Sequence, residues 1–444
     1  MSTTTWLPEL IYVNGRFESD LALVCDDSGK IQEIAKRDDG IRLKNRALLP
    51  GLVNAHSHAF QRVIRGRTER RSRHTTDSFW TWRELMYEAA NRLGPEEIYN
   101  ASRLAFREMA LTGITAVGEF HYIHHAPDGS TYDDPNLLAR EVIRAAHDVG
   151  IRIALLRVAY ARAGFETEAN PQQIRFIEQS PDTYLKHLEQ LLDAPEMKTG
   201  MAWGGVAPHS VRAVPLDYLK TIINFANERN LPVHMHVAEQ PAEVSACIAE
   251  YGRSPVALLD TEALLSRRFT AVHAIHVTAK AIASMARAGA IVCACPTTER
   301  NLGDGVVPVD AYFDAGVRVA LGSDSQIQID LLEDARELEY HLRLQKTARN
   351  VLAPLDDDTS SALARRLFDC ATVRGAESIG FNGGKLEVGA PADFFTVDLD
   401  DVSIAGSSRE DLLATIVFSL ARTAIRDVVV GGKKIKTDDK SDSR

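Results

Sequence analysis

Cysteine, aromatic side chains and excess positive charge are all scarce in this chain. Its five cysteines among 444 residues, Cys25, Cys247, Cys293, Cys295 and Cys370, are odd in number and widely spaced. That excludes a short disulfide-stapled scaffold and implies reduced thiols in a cytoplasmic protein. Cys293 and Cys295 are expected to pack inside a strand core rather than to form a metal pair. No apolar run approaches the roughly 18 residues that a membrane helix needs, so a membrane partner is not expected. The N-terminal MSTTTWLPEL lacks the basic segment followed by an apolar stretch that marks a secretory signal. With 51 Lys plus Arg against 61 Asp plus Glu, the formal net charge is -10. Such a chain offers a phosphate backbone no global attraction, so nucleic acid is not an expected partner. The remaining composition, 45% hydrophobic and 25% charged, is that of a globular protein long enough to bury a large core.

Short β-rich runs recur at residues 47–58, 114–122, 152–160, 201–210, 231–239, 271–277, 290–298 and 317–325. Amphipathic stretches at 95–113, 137–150, 216–230 and 278–290 lie between them, several ending in Gly or Asn as a helix C-terminus should. Strands apolar on both faces that alternate with amphipathic helices predict an α/β fold, a closed parallel (β/α)8 barrel over residues 51–382. Residues 1–50 and 383–436 read instead as short strands with turns, and Asn14-Gly15 and Gly431-Gly432 are hairpin signals. The two termini are therefore expected to build one small β-sandwich domain, and the tail 437–444 is expected to be disordered.

In such a barrel the chemistry gathers at the C-terminal ends of the strands. The first run ends in His56-Ser57-His58, whose i, i+2 spacing puts both imidazoles on one strand face. His236 closes the fifth run, His273 lies in the sixth and Asp324 closes the eighth in ALGSDS. Each alone could be a hydrogen-bonded core histidine or a capping carboxylate. Together at one end of four strands, imidazoles with a carboxylate suit Zn2+, with Fe2+ as the alternative. Glu239, three residues past His236, is placed either to shuttle protons or simply to begin a helix.

LLPGLVNAHSH, HVAE, VHAIH, LGSDS and GKLEVGAPADF, spread over nearly the whole chain, resemble the amidohydrolase superfamily in its branch of metal-dependent deaminases. The resemblance implies one divalent metal per chain held by His56, His58, His236 and Asp324. It also implies catalytic roles for Glu239, His273 and Asp324, with His273 hydrogen-bonded to the attacking water or the substrate. The stretch after the fourth run, VAPHSV, has no Lys where members with two metals carry a bridging one, which favours a single metal. A homodimer enters as a family-level expectation.

Within that branch, HSHAFQ, SFWTWRELMY, GEFHY and APHSVRAV are similar to the iminohydrolases of formimino amino acids. That similarity implies a substrate pocket of Gln61, Arg83, Tyr122, His209 and Arg212, and hydrolysis of N-formimino-L-glutamate to N-formyl-L-glutamate and ammonia in histidine degradation. Two arginines suit a small-molecule dicarboxylate, because guanidinium forks bind carboxylates bidentately. The competing activity is an aminohydrolase of a heterocycle such as guanine, an adenosine derivative or a triazine, for which aromatic stacking and amide readout are expected. A non-catalytic binding or scaffold protein is the alternative outside enzymes. The basic run Arg62, Arg65, Arg67, Arg70, Arg71 and Arg73 is expected to be mostly a solvated loop. His74, His124, His125, His147, His187, His234, His276 and His341 are expected to be core or surface histidines.

Overall fold

A computed structural model describes residues 3–70, 77–168 and 170–435. The tail 437–444, Arg71, Arg73 and His74 lie outside these. Eight parallel strands pair in chain order: Leu52–Ser57, Ile114–His121, Arg152–Ala159, Ala202–Pro208, Val233–Val237, Phe269–His273, Ile291–Ala294 and Arg318–Leu321. The eighth returns to the first through a parallel bridge between Ser57 and Asp324, so the ring is nearly closed. Almost every residue of these strands is buried. Such two-sided burial is why the sequence shows apolar runs rather than alternation. Helices such as Pro95–Leu111, Leu137–Val149, Leu216–Glu228 and Ala279–Ala288 pack outside, as their periodicity predicts. Gly150 and Gly289 end two of them in left-handed conformations with φ of 93° and 66°.

Residues 47–58, read as one strand, are two. Strand Ile41–Pro50 belongs to a separate sheet, and the barrel strand begins at Leu52. Gly51 makes the change of sheet, because a Cβ there would lie 2.2 Å from Thr115 Oγ1. The predicted strand 290–298 stops at Ala294, since Pro296 opens the helix Pro296–Leu302.

The separate sheet is mixed and draws on both termini. Strands Thr3–Val13, Arg16–Ser19, Ala22–Asp26, Ile31–Ala35 and Ile41–Pro50 join Phe394–Asp398, Ile425–Val430 and Lys433–Lys434. Two-residue turns close both expected hairpins. Asn14 and Gly15 have φ of 51° and 78°, and Gly431 and Gly432 of 56° and 71°. Trp6, Leu23, Phe394 and Val429 help form this sheet's own apolar cluster. Between its last long strands, helix Leu412–Ser419 sends Leu412, Ile416 and Val417 into the barrel's cluster instead. Arg152, at the start of the third barrel strand, grips buried Asp393 with bonds of 2.6 and 3.0 Å and ties the sheet to the barrel floor. No helix among the described residues is long and apolar enough to cross a membrane.

Candidate active site

The mouth of the barrel is built at its seam. Asp324 N donates to His56 O and His58 N donates to Asp324 O, both at 3.0 Å. The backbone contact that closes the ring thus also sets three candidate ligands side by side. Asp324 has φ of 49°, His273 of 66° and Ala238 of 50°, left-handed values that non-glycine residues adopt at a cost. Strain therefore concentrates at the ends of the fifth, sixth and eighth strands, where side chains turn toward the axis.

His56, His58, His236 and Asp324 are buried and bring their donor atoms together. The three Nε2 atoms lie 3.1, 3.2 and 3.4 Å apart, and Asp324 Oδ1 is 3.5 and 3.3 Å from those of His56 and His58. A tetrahedral ion with bonds of about 2.0–2.1 Å needs donors about 3.3–3.4 Å apart. His58 Nδ1 donates to Phe120 O at 3.0 Å and His236 Nδ1 to His209 O at 3.1 Å. That tautomer turns the Nε2 lone pairs toward one another, an arrangement that a cation relieves. Burial pushes His56 down to about 3 and holds His58 and His236 below their usual range, so all three stay neutral and able to ligate. Burial opposes ionisation of Asp324, yet the His56 hydrogen bond and the His273 charge hold it below the usual carboxylate range. The four residues fit a divalent cation. His273, Cys295 and Asp324 also cluster, but burial keeps the Cys295 thiol well above its ordinary pKa and so protonated, a poor ligand.

A ring of carboxylates surrounds the buried His273. Nδ1 is 3.1 Å from Glu299 Oε1, while Nε2 is 3.8 Å from Glu239 Oε1 and 3.7 Å from Asp324 Oδ2. These charges outweigh burial and raise the pKa of His273 well above the imidazole norm. Glu239 precedes the helix Pro241–Tyr251 rather than starting it. Burial pushes its carboxyl up to about 7, against the pull of His273.

The cavity above is lined by His58, Gln61, Arg83, Tyr122, His209, Arg212, His236, Glu239, His273 and Asp324. All the sequence-derived site residues except His56 face it, and His56 sits behind the others, fully buried. Gln61 Nε2 donates to Tyr122 Oη at 3.0 Å. Arg83 reaches in from helix Phe79–Ala90 with its guanidinium 4.6 Å from the Trp80 ring. Its Nε and Nη1 are buried without a protein partner, and so is Arg212 Nη1. Arg162 holds the Arg212 backbone through bonds to the carbonyls of Arg212 and Val211, at 3.0 and 3.2 Å. Unpaired buried guanidinium donors facing a cavity are costly unless an anion meets them.

Arg62 and Arg65, expected within a mostly solvated run, are half-buried and both pair with Glu108, at 3.2 and 2.8 Å, and Arg65 also reaches Gln326 O. His234 sits below the ligand layer and bonds Ser378 O at 2.9 Å, a core histidine as expected. His121 is buried beside His124, with rings 5.9 Å apart.

Residues that the sequence left unmarked complete the site. Tyr87 lies one turn beyond Arg83, and Tyr160 directly follows the third strand, where the strand-end rule would have pointed to it. Glu299 lies on the short helix after the seventh strand. Glu119 accepts from Ser57 Oγ at 2.5 Å and Ala59 N at 2.7 Å, bracing the segment that carries His56 and His58. Burial pushes it up to about 8.

Residues 47–435 match the model of the amidohydrolase family, and the chain belongs to that family. It is a hydrolase of C–N bonds with a deaminase's His, His, His, Asp cluster. Formimidoylglutamate deiminase of Pseudomonas aeruginosa is 40% identical over 433 residues, covering 97% of this chain and 93% of that one. 5-Methylthioadenosine/S-adenosylhomocysteine deaminase of Natronomonas pharaonis is 28% identical over 417 residues, 92% of this chain and 85% of that one. The solved structure of an amidohydrolase from Brucella melitensis superposes with a TM-score of 0.87 at 34% identity, covering 97% of this chain and 94% of that one.

Proposed function

We propose that this chain hydrolyses N-formimino-L-glutamate to N-formyl-L-glutamate and ammonia. The observation that carries this is the pair of guanidinium groups, Arg83 and Arg212, with buried unpaired donors above a three-histidine, one-aspartate cluster. A linear substrate with two carboxylates supplies the acceptors those donors lack. The deiminase of P. aeruginosa, at 40% identity, supports the same substrate.

His56, His58, His236 and Asp324 would hold one divalent cation, with Zn2+ favoured by the nitrogen-rich donor set and Fe2+ the alternative. Such a cation supplies Lewis acidity that brings the pKa of water toward neutrality. Asp324 Oδ2 takes the proton from the attacking water, and the imidazolium of His273, with Nε2 3.7 Å from that oxygen, steadies the charge beside it. Water adds to the formimino carbon, and the tetrahedral species must release ammonia rather than glutamate. Glu239 decides that outcome by protonating the terminal nitrogen, a task suited to a carboxyl held near 7. Gln61, Tyr122 and His209 orient the chain of the substrate, and Glu299 holds His273 from behind.

The test is ammonia release by the metal-loaded protein from N-formimino-L-glutamate, guanine and S-adenosylhomocysteine in parallel. Turnover of the first alone is expected. Turnover of a purine compound without it would reassign the chain to the heterocycle aminohydrolases.

A further inference from the structure

Two tyrosine hydroxyls stand beside the paired arginines. Tyr87 and Tyr160 are 2% and 1% exposed, and their oxygens lie 3.3 Å apart on the cavity wall. Tyr87 comes from the same helix as Arg83, one turn on, and the Arg83 guanidinium lies 5.5 Å from the Tyr87 ring centre. Tyr160 directly follows the third barrel strand, where its hydroxyl feels the charges of Arg212 and Arg83. One side chain from a third element meets both. Gln173, completely buried, sits 2.9 Å from Tyr87 Oη and 2.7 Å from Tyr160 Oη through its amide nitrogen.

Gln173 is itself held firmly. Its amide N–H donates to Asn170 O at 3.0 Å and its carbonyl accepts from Phe176 N at 2.9 Å. Phe176 packs against the rings of Tyr87, Tyr122 and Tyr160. Arg175 clamps the same loop to His125 O at 2.9 Å and to Ala90 O at the end of the Arg83 helix.

Hydrogen-bond bookkeeping then gives the hydroxyls a direction. An amide NH2 has two protons, and here both oxygens receive one. One hydroxyl can donate to the other, which leaves one hydroxyl proton without a protein acceptor in this trio, on a wall of the cavity. Burial raises the Tyr160 hydroxyl above its usual range, so that proton is retained. Two guanidinium groups with unpaired buried donors and a spare hydroxyl proton gather on one cavity wall; the charges of Glu243 and Glu239 act on Arg212, but no carboxylate bonds these unpaired donors.

We propose that Tyr87 and Tyr160 form a hydroxyl subsite that binds one carboxylate of the substrate together with Arg83 and Arg212, and that Gln173 is the positioning residue that aims them. This rests on the dicarboxylate substrate named above and adds three residues to its recognition. Tyr87 and Tyr160 touch the carboxylate; Gln173 acts through them.

The experiment measures binding of glutarate, a five-carbon dicarboxylate, to the metal-loaded protein by calorimetry, alongside steady-state kinetics on N-formimino-L-glutamate. Hydrogen bonds to a charged partner set the scale, so Tyr160→Phe and Tyr87→Phe should each weaken glutarate about 10- to 100-fold. The loss should appear mainly in KM, with kcat little changed. Gln173→Leu should weaken glutarate by a similar factor in the wild-type background, and hardly at all in Tyr87→Phe/Tyr160→Phe, where its targets are gone. Full loss from Gln173→Leu in both backgrounds would make Gln173 a structural residue and overturn its role. Unchanged glutarate binding in the two Phe variants, or no glutarate binding by the wild-type protein, would overturn the subsite. Tyrosine-dependent glutarate binding without turnover of N-formimino-L-glutamate would support the subsite while refuting the proposed reaction.

Discussion

The floor and the wall of the cavity are built differently. The floor, His56, His58, His236, His273 and Asp324, stands on strand ends, is locked by the backbone bonds that close the barrel, and carries the left-handed turns. The wall, Arg83, Tyr87, Tyr160 and Arg212, comes from a helix and two loops and is backed by Gln173, and its guanidinium donors await a partner. A rigid floor with a separately anchored wall lets one barrel keep its chemistry while the substrate changes. Removing a floor residue should abolish turnover of every substrate, whereas removing a wall residue should change which substrate is used.

The largest expected effect lies at the join. Glu239→Gln should keep the metal, as judged by elemental analysis, and lower kcat by roughly two to four orders of magnitude. Near-normal turnover would give the proton transfer to another group. On the wall, Arg212→Met and Arg83→Met should lower kcat/KM for N-formimino-L-glutamate by roughly 30-fold to several thousand-fold, the range for one-sided loss of a buried charge pair of ~2 to 5 kcal/mol. Under the floor, Glu119→Ala removes the acceptor for Ser57 and Ala59. Metal affinity, read by competition with a chelator, should fall about 10- to 100-fold, as for other supports of ligating histidines.

The smallest effect on chemistry should come from Glu178, outside the cavity. Burial disfavours its charge, but Arg157, with a bond of 2.9 Å, and His187 depress its pKa far below the usual carboxylate range. A carboxyl depressed in the folded state adds stability above its unfolded pKa of about 4.3 and loses it as pH falls. Glu178→Gln should therefore destabilise by about 3–5 kcal/mol at neutral pH, because Arg157 is left buried and unpaired. It should also flatten the fall in stability below about pH 4. Thermal melts across that range check both, and an unchanged acid limb would contradict the assignment.

The same contrast explains what was legible beforehand. His56 and His58 share a strand face and Asp324 follows an apolar run, so period-two spacing exposes them. Gln173 lies in a turn with no periodicity, and only the folded loop brings it to Tyr87 and Tyr160. Arg62 and Arg65 looked like a solvated run because their partner, Glu108, is more than forty residues away. The strand over 47–58 hid its break because Gly51 changes sheets without interrupting the apolar pattern. Local pattern reveals what neighbours along the chain decide; contacts between distant segments carry the rest.

The division between floor and wall is tested most directly by one selectivity ratio. The measurement is kcat/KM for N-formimino-L-glutamate divided by that for an uncharged formamidine, in the wild-type protein and in Arg212→Met at equal metal content. The ratio should collapse in the variant, because the dicarboxylate loses its partner while the chemistry below is untouched. Equal losses on both substrates would mean that Arg212 supports the floor, and the separation of chemistry from recognition would be wrong.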